Sequence, residues 1–101
     1  MSETTNETAN TGADDPVLRQ LREQVSDTDR AIIDLMNKRL GLVARIKERK
    51  DTLGLEFFDP EREEWMLRYL QRANRGPLSD EGLKELHSEL LALTKREVDR
   101  R

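Results

Sequence analysis

The chain has 101 residues, enough for one domain and too few for two. Charged residues make up 39% of it, with 18 basic against 21 acidic side chains, so it lacks the basic excess expected of a nucleic-acid binder. There is no cysteine, which excludes disulfides and thiolate metal sites.

Residues 1–15 carry no large apolar side chain after Met1 and consist largely of Thr, Asn, Glu, Asp and Gly. Such a mixture cannot offset the entropy of ordering a backbone, so a disordered tail is expected there and a folded domain over 16–101. The start of the chain lacks the basic residues and apolar stretch of a secretion signal. No apolar run is long enough to span a membrane. A soluble cytoplasmic protein with no membrane partner is the expectation.

From Val17 to about Thr52 there is one glycine and no proline. Leu18, Leu21, Val25, Thr28, Ile32, Leu35, Leu42 and Ile46 recur at steps of three and four, skipping one beat at Arg39. That is the seam of an amphipathic or coiled-coil helix. Asp15-Pro16 marks its start and Gly54 its stop. Asp59-Pro60 opens a second helix as cap and first-turn residue, with Met66, Tyr69, Leu70 and Ala73 as its apolar face. Asn74-Arg75-Gly76-Pro77 ends it. Ser79 or Asp80 caps a third helix carrying Leu83, Leu86, Leu90, Leu91 and Val98. With no strand signal, the expected fold is all-α, with three helices per chain.

The first helix is too long for its own globule. About 36 residues at ~1.5 Å each reach ~54 Å. A compact domain of about 86 residues is only ~30 Å across. A protruding apolar stripe is costly in water, so a second copy is expected to cover it through a two-fold axis. The predicted assembly is an intertwined homodimer.

Charge interrupts the apolar faces. Arg39 falls on the line through Leu21, Ile32 and Ile46, a seam position that should be apolar. Lys50 lies within about 20° of it and ~16 Å further along the axis. Arg22 sits at the edge of the stripe, ~25 Å from Arg39, too far to share a pocket within one chain. An antiparallel partner helix would bring in Arg22 of a second copy. Taken singly, Arg39 reads as a snorkelling side chain and Lys50 as part of a solvated helix end. Three basic residues aimed at one seam imply an anion, because burying uncompensated positive charge costs several kcal/mol. A ligand with two carboxylates fits. On the second helix Arg62 and Glu63 flank the Met66–Leu70 face, either in the same site or as surface pairs, and Asp59 reads first as a cap. Thr94 lies on the apolar face of the third helix, where a threonine usually bonds its own backbone. His87, the single histidine, reads as packing. No nucleophile–base pair, metal cluster or phosphate loop can be assembled. An enzyme built from these residues would work by positioning and fixed charge, without cofactor or metal.

Leu21-Arg22-Glu23, Asp29, Arg39, Lys50, Asp59-Pro60-Glu61-Arg62-Glu63 and Gly76-Pro77-Leu78, in this order and spacing, resemble the all-helical chorismate mutases. The likeness runs from about Leu18 to Val98. It implies an intertwined dimer with two shared sites that rearranges chorismate to prephenate in aromatic amino-acid biosynthesis. By this resemblance Arg39, with Arg22 from the other copy, binds the two carboxylates, and Lys50 contacts a carboxylate and the ether oxygen. Asp59, through its backbone, and Glu63 hold the ring hydroxyl, with Arg62 adding positive field. Thr94 stands near a carboxylate. Val98 departs from the family, which places Gln or Glu there to donate to the ether oxygen. Glu97 is the neighbouring substitute. Failing that, weak intrinsic activity and reliance on another shikimate-pathway enzyme are expected. Isochorismate-pyruvate lyase and a regulatory helical dimer remain alternative readings.

Overall fold

A computed structural model describes residues 15–100; all of the expected 1–15 tail except Asp15, and the terminal Arg101, lie outside the described residues. The elements are α1 (Pro16–Leu53), α2 (Pro60–Ala73) and α3 (Asp80–Asp99), with no strand among the described residues. None of these helices is long and apolar enough to cross a membrane.

Five of the six helix ends follow from a side chain or a glycine. Asp15 Oδ1 accepts the Val17 N–H at 3.2 Å, and Pro16 sits where a missing N–H costs nothing. At the other end Gly54 turns left-handed, with φ +72°. Its N–H donates to the Asp51 carbonyl at 3.2 Å and the Leu55 N–H to that of Lys50 at 2.8 Å. This pair of reversed bonds closes α1 and turns the chain towards α2. Asp59 caps α2 by accepting the Arg62 N–H at 3.2 Å, as its position before Pro60 predicts. Asn74 stops α2, and its side-chain amide donates to the Leu78 carbonyl at 2.8 Å. Ser79, and not Asp80, caps α3, accepting the Gly82 N–H at 2.9 Å. Asp80 instead places its charge in the first turn, where the helix dipole favours it.

The chain divides into two units, Met1–Asn37 and Lys38–Arg101. The described part of the first is the leading stretch of α1. Val17, Leu21, Val25, Ile32, Ile33 and Leu35 are all more than half exposed there. The period read from sequence is present, but these side chains stay largely exposed among the described residues. No residue anywhere in α1 is buried.

In the second unit α2 packs against α3. Leu83 and Val98 of α3 are its buried apolar side chains, joined by His87 and Thr94. His87 takes a core position, as expected of a packing residue, with Nε2 buried and lacking a hydrogen-bond partner among the described residues. Two residues assigned to apolar faces lie outside. Leu86 is 56% exposed, because its neighbour His87 occupies the inward position of that turn. Tyr69, 48% exposed, stacks on Trp65 one turn earlier, with ring centroids 5.4 Å apart, and so finds its apolar partner on its own helix.

Candidate active site

A cavity of about 260 Å³ opens within the second unit. Arg39, Val43, Ile46 and Lys50 line it from α1, and Phe57, Phe58 and Asp59 from the connector. Arg62, Glu63 and Met66 come from α2, and Leu91, Thr94 and Lys95 from α3. The spacing explains the convergence. Positions 39, 43, 46 and 50 form one stripe of three- and four-residue steps, and such steps also link 59, 62 and 66 and, beside them, 59, 63 and 66. The same rule sets 91, 94 and 95 on one side of α3.

The charges in this cavity have neutral partners. Arg39 Nη1 donates to Thr94 Oγ1 at 2.6 Å. The Thr94 hydroxyl in turn donates to the Leu90 carbonyl at 2.6 Å. Thr94 therefore bonds its own backbone, as threonines in helices do, and its remaining lone pairs hold the guanidinium in place. Half-buried Lys50 donates through Nζ to the Phe57 carbonyl at 2.9 Å, and the same Nζ lies 6.0 Å from the Phe57 ring centroid. The Arg62 guanidinium rests 4.6 Å from the Trp65 ring centroid, and Lys95 Nζ 4.2 Å from that of Phe58. Among the described residues the ion pairs are Lys47 with Asp51, Arg68 with Glu64 and Arg100 with Glu97, none of which involves a lining residue. Four cationic side chains thus face the cavity against two acidic ones, Asp59 and Glu63. A dianion would balance that excess.

Six of the residues singled out from sequence line this one cavity: Arg39, Lys50, Asp59, Arg62, Glu63 and Thr94. Arg22 and Val98 are not among its lining. Arg22 is half-buried on the α1 stretch of the first unit. Val98 is 5% exposed and belongs to the core. The Glu97 carboxylate is taken by the Arg100 guanidinium, and Glu97 does not line the cavity either. Neither residue offers a donor there. Sequence reasoning missed Lys95 and the Phe57-Phe58 pair. The signals were available: Lys95 stands one turn after Leu91 and beside Thr94, and two adjacent phenylalanines precede the cap Asp59.

The burial of Val98 carries a prediction. Val98→Gln places an amide at a position only 5% exposed, and should lower unfolding stability by about 1–3 kcal/mol. An unshifted denaturant midpoint would mean that the position is open to water or to the cavity.

The family model for chorismate mutase type II matches residues 21–98. The bifunctional chorismate mutase/prephenate dehydratase of Stutzerimonas stutzeri is 34% identical over 80 residues, which cover 74% of this chain and 22% of that protein. The enzyme of the same name from Pseudomonas aeruginosa is 33% identical over 87 residues, covering 79% of this chain and 23% of its own length. The chain therefore spans about a fifth of the length of these curated relatives. Among solved structures, form I of the Thermus thermophilus chorismate mutase superposes with a TM-score of 0.74 at 38% identity, covering 76% of this chain and 96% of that one. Form II gives 0.78 at 36% identity, covering 83% and 96%. With a family model spanning all three helices and structural neighbours matched over nearly their whole length, the chain belongs to the chorismate mutase type II family.

Proposed function

We propose that this chain rearranges chorismate to prephenate, in aromatic amino-acid biosynthesis, as a homodimer and without a cofactor. The observation that carries the proposal is the set of cavity cations whose partners are a hydroxyl, a carbonyl and aromatic rings. Such cations keep their charge for a ligand, and chorismate brings two carboxylates.

The reaction is a unimolecular [3,3] shift. The ether C–O bond breaks, a C–C bond forms, and no proton moves. Catalysis then needs a folded substrate and a fixed charge where negative charge grows. Arg39, with Arg22 of the second copy, would hold the carboxylates and enforce the chair-like fold. Lys50 would face the ether oxygen, with Arg62 adding positive potential. Glu63 and the Asp59 backbone would hold the ring hydroxyl.

The bare seam of α1 supports the dimer, since an apolar stripe of that length is costly in water until a second copy covers it. Because Val98 and Glu97 offer no donor, activity that rises when another shikimate-pathway enzyme is added fits the same reading.

The test is a direct assay of the purified protein with chorismate and, separately, with isochorismate, following prephenate and pyruvate. Prephenate from chorismate is expected. Pyruvate from isochorismate alone would assign the lyase, and no product with either, even beside the other enzymes of the pathway, would leave a binding module.

A further inference from the structure

Lys95 lines the cavity but has no part in the roles given above. Its ammonium lies 4.2 Å from the centroid of the Phe58 ring, and among the described residues no carboxylate pairs with it. Phe58 itself is 51% exposed, although it is a large apolar side chain. Both of these lining residues are exposed, whereas Lys50, Glu63 and Met66 are half-buried.

We propose that Lys95 is a substrate-binding residue at the rim of the cavity, held on the Phe58 ring while the site is empty and turned onto a carboxylate of the incoming anion. The inference rests on the proposed function and adds a fifth cation to Arg22, Arg39, Lys50 and Arg62.

Three features support it. A ring face holds an ammonium without neutralising it, and an exposed cation–π pair is worth only about 0.5–1 kcal/mol, so a carboxylate displaces it easily. Thr94, the preceding residue, already anchors Arg39, so the backbone that carries Lys95 is fixed against α1 by a 2.6 Å bond. Position also decides which part of the substrate Lys95 meets. The reacting ether oxygen must be enclosed, whereas a carboxylate can stay at the mouth, and Lys95 is exposed. A flexible stem with a compact charge suits capture at such a rim.

The assay is steady-state kinetics on the full chain with chorismate, comparing wild type, Lys95→Met and Lys95→Arg, with thermal midpoints measured alongside. Methionine keeps most of the apolar stem and removes the charge. Because the carboxylates are charged in the ground state and the transition state alike, the effect falls on KM. Lys95→Met should raise KM about ten- to a hundredfold with kcat within about threefold of wild type. Lys95→Arg should restore most of the loss, and the rise of KM with added salt should be shallower in Lys95→Met than in wild type. A wild-type protein that turns over chorismate while Lys95→Met keeps its KM and salt dependence would overturn the role of Lys95 and leave the proposed function intact. A loss carried by kcat, or one that arginine does not relieve, would also overturn it. A wild type inactive on chorismate would remove the function itself.

Discussion

Lys50→Ala should lower kcat by about 10²–10³-fold while KM moves far less. The asymmetry follows from when the charge it meets is formed. In the proposed reaction chorismate carries little charge on its ether oxygen and the transition state much more, so the Lys50 ammonium would contribute mainly after binding. Its setting suits that task. It stands in the last turn of α1, half-buried, and the Phe57 carbonyl 2.9 Å away fixes where Nζ lies. That carbonyl orients the ammonium without cancelling its charge, so little reorganisation is needed as the bond breaks. Lys50→Gln should retain part of the rate, since an amide still donates a hydrogen bond. A Lys50→Ala protein with normal kcat and a raised KM would show instead that this lysine binds the ground state.

The second large effect concerns sharing between copies. Arg39→Ala and Arg22→Ala should each cost roughly 2–5 kcal/mol in kcat/KM, because in the proposed shared site each would remove one partner of a close charge pair with a carboxylate. Mixed and allowed to exchange, the two inactive proteins should recover about a quarter of wild-type activity. Half the dimers are then mixed, and in each of those one of the two sites receives both intact arginines. Absence of recovery after proven subunit exchange would place Arg22 and Arg39 in the same chain's site, or Arg22 in none.

The helices were legible because their signals are local. Asp15-Pro16, Gly54, Asp59-Pro60 and Ser79 each act within one turn, and each boundary depends on hydrogen bonds to near neighbours. Arg39 and Lys50 were legible because a charge in an apolar stripe breaks a pattern. What stayed hidden depends on contacts distant in sequence. That Thr94 would anchor Arg39 joins residues 55 apart, and periodicity cannot supply such a pairing. Lys95 was hidden for the opposite reason: a lysine beside the apolar face of a charged helix looks like ordinary solvated surface. Tyr69 and Leu86 were misplaced because helical period gives a direction but not the competing partner, Trp65 in one case and His87 in the other.

Leu83 and Val98 are the only buried apolar side chains among the described residues of one chain. A folded state normally exceeds its unfolded ensemble by only about 5–15 kcal/mol, and a chain whose longest helix has no buried residue has little to spare. In the proposed homodimer, folding and association would therefore be coupled and governed by mass action. Dilution would then act as urea does on a monomeric domain, drawing the population towards dissociated and unfolded chains. The amount of protein a cell makes would set the folded fraction as well as the number of sites, and specific activity would climb with concentration before it levels off.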